Sequence, residues 1–262
     1  MRAYLDLVKK VLENGQLRSN RTGVDTISIF GADLEHNMQE GMPVLTTKRV
    51  NFRACVHELL WFLKGDTNIK YLIDNNVHIW DAWADKNGDL GPVYGKQWIS
   101  SGTKGVNQID YVIKEIIENP WSRRILLDAW SPSDLEAQAL PPCHVLYQFY
   151  AEPATKELSL QVYMRSADIF LGLPFDIAEG GLLLYLVSAI TGYTPTKLRY
   201  VLGDAHIYVN HISQLKVQLG REPYSLPSLD IPRKESIYAY KAEDIKLIDY
   251  KHHGFLKGEV AV

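Results

Sequence analysis

The segment LPPCHVLYQFY places Cys143 and His144 directly after two prolines and ahead of a run with strand character. A cysteine in a soluble protein is more often a small buried hydrophobe than a nucleophile, and Cys55, inside an apolar helical stretch, keeps that reading. At Cys143 the prolines restrict the backbone and an adjacent ionisable group can tune thiolate chemistry, which makes it a candidate nucleophile. WSRRI supplies Arg123 and Arg124, YMRSAD supplies Arg165 with Ser166, and SNRTG supplies Arg21. These forked donors suit a phosphate, although each arginine alone is ordinary solvated surface. Trp80 and Trp83 in HIWDAWAD serve either as core or as a platform for a planar ring, core being the default.

FLGLPFDIAEGG sets Asp176 in an apolar, glycine-rich run, and two readings follow. Asp176, with Glu179 three residues later and LLLYLVSAI after it, has the form of a helix start in which the acid caps free backbone N–H groups. Alternatively Asp176 reads a ligand, because a carboxylate among Phe170, Leu171, Leu173 and Phe175 needs partners. On this stretch alone the cap is favoured.

The elements that position these residues can be read from periodicity. A helix is expected over about residues 2–14, stopping at Asn14-Gly15, and DTISIFGADLEHNM reads as a strand pair broken at Gly31. RACVHELLWFLKGD and QIDYVIKEIIENP carry apolar residues at helical spacing, ending at Gly65 and before Pro120. RRILLDAWS, HVLYQFYAE, ELSLQVYMRSADIF and LRYVLGDAHIYV are rich in β-branched and aromatic residues and read as strands. The adjacent strands, without regular strand–helix alternation, place the chain in the α+β class. No repeat or linker divides the 262 residues, so one domain is expected.

A net charge of −3 with 46% hydrophobic and 23% charged residues describes an ordinary globular protein without a broad nucleic-acid footprint; its expected partners are small molecules. Two cysteines are too few for a disulfide framework and fit a reducing compartment. The N-terminus lacks the apolar core of a secretory signal, and LLLYLVSAITGY is shorter than the roughly 20 residues of a membrane span, so a cytoplasmic location and a buried helix are expected.

Together NRTG, PVLTTKRV, HELLWFLKGDTNIKYL, GDLGPVYGKQW, SRRILLDAW, LPPCHVLYQFY, RSADIFLGLPFDIA and GDAHIYVNH, in this order and over essentially the whole chain, resemble the thymidylate synthase family. The resemblance implies a large twisted mixed sheet flanked by helices, with sheets packing back to back in a homodimer. It implies reductive methylation at pyrimidine C5, with 5,10-methylenetetrahydrofolate as one-carbon donor and reductant, released as dihydrofolate; no metal or flavin is implied. Cys143 resembles the nucleophile that adds to pyrimidine C6, with Arg165 as the positive charge that favours its thiolate. Arg21, Arg165 and Ser166, with Arg123 and Arg124 from the second subunit, resemble the phosphate clamp, and His206 and Tyr208 the pair on the deoxyribose 3′-hydroxyl. His144 falls among the substrate-binding positions. Glu58 and Tyr94 match the proton-transfer network. Trp80, Trp83, Leu171, Gly172 and Phe175 match the folate-ring surround, Asp168 the pterin-binding acid, and Lys48 a cation near the glutamate tail. The Val262 carboxylate matches the terminus that folds over the cofactor.

The chain departs from the family where it carries Asp176 in place of Asn, Glu179-Gly180 in place of Ser-Tyr, and Met164 in place of Gln. The Asn amide accepts from uracil N3–H and donates to O4. An ionised Asp can accept from the cytosine N4 amino group but cannot donate to O4, and engaging N3 requires one proton shared with it. The resemblance therefore points to the cytosine-specific branch: a dCMP C5-methyltransferase, of the kind expected where DNA carries modified cytosine, as in some bacteriophages. The alternatives are a dCMP hydroxymethylase, in which water captures the methylene intermediate, and a thymidylate synthase acting on dUMP. Trp80 and the VAV end match the methylating members, which favours methylation. A silent nucleotide or RNA binder on the same fold would be expected to lack Cys143, Arg165 or Glu58, and all three are present.

Overall fold

The computed structural model describes residues 1–261. In chain order the elements are α1 (Arg2–Asn14), β1 (Gln16–Arg18), β2 (Thr26–Asn37), α2 (Phe52–Leu63), α3 (Lys70–Asp74), α4 (Tyr94–Ile99), α5 (Gln108–Glu118), β3 (Leu126–Asp128), β4 (His144–Glu152), β5 (Glu157–Asp168), α6 (Gly172–Thr191), β6 (Thr194–Tyr208), α7 (Ile212–Leu219), β7 (Ser228–Asp230) and β8 (Lys246–Ile248). A six-stranded sheet runs β1-β2-β6-β5-β4-β3, antiparallel throughout except for the parallel pair β5 and β6. It is a mixed α+β fold with helices packed on the sheet, as expected.

Alternation along the strands sorts the two faces of the sheet. Leu160 and Val162, Leu198, Tyr200 and Leu202, and Tyr147 and Phe149 are buried in the helix-covered core, whereas Phe30 and Tyr150 stand 86% and 66% exposed. The same outer face carries the cross-strand pairs Glu35–Lys197 and Asp33–Arg199, each at 3.3 Å.

Three expectations change. The predicted strand pair at Gly31 is one strand, β2, whose register with β6 runs through the glycine; Gly31 takes φ +79° there, so the strand bends without ending. The apolar run after residue 181 belongs to a longer helix, α6, of 20 residues, long and apolar enough by composition to cross a membrane, yet 72% of its most apolar window is buried inside the fold. The helix begins at Gly172, so Asp176 lies in its second turn and is not its cap. Among the described residues the helix has no side-chain cap; in the turn that leads into it, Asp168 Oδ1 accepts from the N–H of Phe170 at 2.9 Å and of Leu171 at 3.3 Å. The C-terminal end is as expected for a glycine stop, with Gly192 in the left-handed region at φ +75°.

Candidate active site

Cys143 sits just before β4, in a loop whose main chain is tied to two neighbouring side chains and strands. Its N–H donates to the Tyr94 hydroxyl at 2.8 Å, and its carbonyl accepts from the Arg165 N–H at 2.9 Å. The Arg165 guanidinium, on β5, donates to the carbonyls of Pro142 at 2.8 Å and Pro141 at 2.9 Å. The two prolines thus offer acceptors to Arg165, and Arg165 fixes the loop that carries the thiol.

This loop forms one wall of a cavity of about 880 Å³, near the upper end of the roughly 300–1,000 Å³ typical of ligand sites. Arg21, Arg165, Ser166, His206 and Tyr208 line it, and so do Cys143, Glu58, Asp168 and Asp176. Trp83, Leu171, Gly172 and Phe175 supply an apolar wall. Eleven of the residues singled out from the sequence are brought together here from elements far apart in the chain, besides Arg21 and Ser166.

Others fall elsewhere. Trp80 is buried and outside the lining; its indole N–H donates to Glu58 Oε1 at 2.7 Å, so it buttresses the carboxyl. Lys48, expected near a glutamate tail, is buried, donates to the Phe170 carbonyl and lies 3.9 Å over the Phe170 ring, and burial lowers its pKa to about 8. Tyr94 and His144 form a buried layer behind the cavity, their rings stacked at 4.2 Å. Arg123 and Arg124 are exposed and do not line this cavity. Val262 lies outside the described residues, but Val260 and Ala261 line the cavity. The segment before them is held by His211 Nε2 against the Glu259 carbonyl at 2.9 Å and by Gln214 donating to the Lys257 carbonyl at 3.1 Å.

Sequence reasoning missed Asn20, Thr22, Trp130 and Asp204, which also line the cavity. Asn20 had a signal: its Oδ1 accepts from the Thr22 N–H at 2.9 Å in the turn that presents Arg21, the local bond an Asn-x-Thr turn favours. Trp130 lies 5.6 Å from the Arg165 guanidinium and had no signal beyond its type.

Burial dominates the electrostatics. The Cys143 thiol is pushed up to about 11 by burial, with Arg165 and Arg21 pulling down and Asp176 and Asp168 pushing up. The positive charge expected to favour a thiolate is present but outweighed. His144 is held neutral, its pKa lowered by burial to about 3, so its 3.8 Å approach to Asp176 Oδ1 is not an ion pair. Glu58 is raised by burial to about 7, with the Trp80 hydrogen bond opposing the shift. Asp176 is raised well above the usual carboxylate range, first by burial and then by Glu58 and Asp168. Glu179, one turn further along α6, is buried with Oε1 unpaired among the described residues and is raised in the same direction by burial, Glu58 and Asp176. Chemically, the cavity offers a cation cluster for an anion, a thiol, a carboxyl able to exchange protons near neutrality and a second carboxyl whose pKa burial raises.

Residues 2–262 match the family model described as thymidylate synthase. The chain is 48% identical over 291 aligned positions to a protein named thymidylate synthase from Mycoplasma genitalium, with all of both chains covered. Proteins of this family are typically homodimers acting on nucleotide and folate substrates. The chain belongs to the thymidylate synthase family and is a folate-dependent pyrimidine C5-methyltransferase.

Proposed function

We propose that the protein, working as one catalytic domain, methylates dCMP to 5-methyl-dCMP with 5,10-methylenetetrahydrofolate, releasing dihydrofolate. The observation that carries this is Asp176, on the cavity wall at the position where the family has Asn, in a setting whose burial raises its carboxyl pKa and so favours the protonated form. A neutral acid meets the cytosine edge as a complement: its O–H donates to N3 while its carbonyl oxygen accepts from the N4 amino group.

Arg21, Arg165 and Ser166 bind the phosphate, joined by Arg123 and Arg124 of a second copy, whose exposure here leaves them free to reach across. The outer face of the sheet, with Phe30 and Tyr150 exposed, suits the sheet-to-sheet packing of such a dimer. His206 and Tyr208 take the sugar. Because the thiol stays protonated up to about 11, Cys143 must pass its proton to solvent as its sulfur bonds to C6. Electron density pushed into the ring by that bond gathers at N3, where the Asp176 proton receives it. Glu58, near 7, is ionised in part at neutral pH and takes up the C5 proton through the network that includes Tyr94.

The apolar wall of Trp83, Leu171 and Phe175, with Asp168 beside it, fits a flat heterocycle carrying polar edges, and these residues would hold the folate. When bound, the folate supplies the one-carbon unit and the hydride that reduces it. Val260 and Ala261 close the same wall with apolar groups, which disfavours water as the competing acceptor and supports a methyl over a hydroxymethyl product.

A second reading also has support. A neutral acid can donate to uracil O4 while accepting from N3–H, and the 48% identical relative is named thymidylate synthase, so dUMP is the competing substrate. Cytosine is favoured because N3 is a far stronger base than O4 and can take the proton outright as sulfur adds. Separate incubations with dCMP and dUMP, followed by dihydrofolate absorbance and product mass, decide. Higher kcat/KM for dCMP with a methyl gain is the expected result. Higher kcat/KM for dUMP replaces this reading with the second, and a hydroxymethyl gain without dihydrofolate replaces the methyl product.

A further inference from the structure

Helix α6 carries two adjacent glycines, Gly180 and Gly181, in its interior, where each costs about 1 kcal/mol relative to alanine. At Gly180 the cause is visible. A Cβ there would fall well inside van der Waals contact of the Tyr200 hydroxyl and 3.2 Å from Tyr200 Cζ. Tyr200, 1% exposed, reaches up from the middle of β6, where it pairs with Leu34 of β2 and Val162 of β5. Its hydroxyl donates to the main-chain carbonyl of Asp176, and the Gly180 N–H faces that hydroxyl oxygen. The hydroxyl is therefore wedged into the helix at the turn joining Asp176 to Gly180, tying the backbone of the cavity-facing acid to the centre of the sheet.

We propose that Tyr200 is a positioning residue for substrate selection: it fixes the backbone from which Asp176 projects, and Gly180 is glycine to admit its hydroxyl. This rests on reading Asp176 as the residue that meets the base. A carboxyl must meet two base atoms at hydrogen-bond distance, and a shift of its Cα by a fraction of an ångström lengthens both bonds. The hydroxyl gives the Asp176 carbonyl a tie to the sheet in addition to its place in helix α6.

The test is a cycle of Tyr200→Phe, Gly180→Ala and the double variant, read by kcat/KM for dCMP and for dUMP and by melting temperature. Tyr200→Phe is expected to lower kcat/KM for the preferred nucleotide about tenfold and to shrink the ratio between the two nucleotides, within the loss that small misplacements of a reacting group cause. A purely structural loss would scale both nucleotides equally and leave the ratio unchanged. Gly180→Ala is expected to lower the melting temperature and the ratio when Tyr200 is present. In the Phe background it should raise the melting temperature with no further loss of ratio. An unchanged ratio in Tyr200→Phe, or a Gly180→Ala effect that is the same in both backgrounds, overturns the proposal. If the wild-type protein prefers dUMP, the cytosine reading fails, but the ratio still reports whether Tyr200 positions Asp176.

Discussion

Glu58 and Asp176 face one cavity from two helices, α2 and α6, and both are carboxyls pushed upward by burial. Their neighbours separate them. Glu58 accepts a hydrogen bond from Trp80 at 2.7 Å, which favours its charged form and leaves it at about 7. Asp176 has the neutral His144 3.8 Å away, and burial, with the Glu58 and Asp168 charges, raises it well above the usual carboxylate range. The indole N–H on Glu58 and the like charges beside Asp176 thus set two buried carboxyls apart, one able to ionise near neutrality and one in which burial favours the protonated form, a division of labour that suits acid–base catalysis.

The comparison can be broken from either side. Glu58→Gln keeps an acceptor for Trp80 and removes the base; kcat should fall about 10²- to 10⁴-fold with either nucleotide, the usual worth of a general base, and steady-state rates with both will show it. Tests of the partner arginines come next. Mixing a Cys143→Ala variant with an Arg123→Ala/Arg124→Ala variant should restore activity that each lacks alone, because a hybrid dimer holds one intact site; no recovery would place those arginines outside the phosphate site. Trp80→Phe strips Glu58 of its donor, so its pKa should climb above about 7. The acid limb of the kcat/KM profile should then move up by about one unit, lowering the rate several-fold at neutral pH.

The smallest effect is on stability. Glu58 ionises near 4.5 when unfolded and near 7 when folded, so between these values the native state holds the extra proton. Its contribution is therefore full below pH 4.5 and is lost as pH rises towards 7, by up to about 3 kcal/mol. His144, lowered to about 3, gives the opposite slope below 6.5, so the difference between wild type and Glu58→Gln in urea unfolding isolates the carboxyl.

The catalytic loop, the cation cluster and most of the central strands were legible because they are written in local patterns: Pro-Pro-Cys, paired arginines, alternating β-branched residues. What was illegible depends on contacts across the chain. Helix α6 starts at Gly172, four residues before Asp176, and Asp168 braces the turn that leads into it, so the cap-like Asp176 faces the cavity from the second turn. Trp80 is also the donor to Glu58, 22 residues away in sequence, a bond its residue type did not announce. The same distance hides the protonation of Asp176, because residue type alone suggests a charged acid while burial favours the neutral form. That changes the specificity reasoning: selection rests on where one proton goes, to N3 or O4, and not on a fixed negative charge.

The most direct measurement is the ratio of kcat/KM for dCMP to that for dUMP in wild type and in Asp176→Asn, with both nucleotides competing in one mixture. The account predicts a wild-type ratio above one that falls about 10²-fold or more in the variant, because an amide has no proton to give to N3. A wild-type ratio below one, or a ratio that Asp176→Asn leaves unchanged, would contradict it.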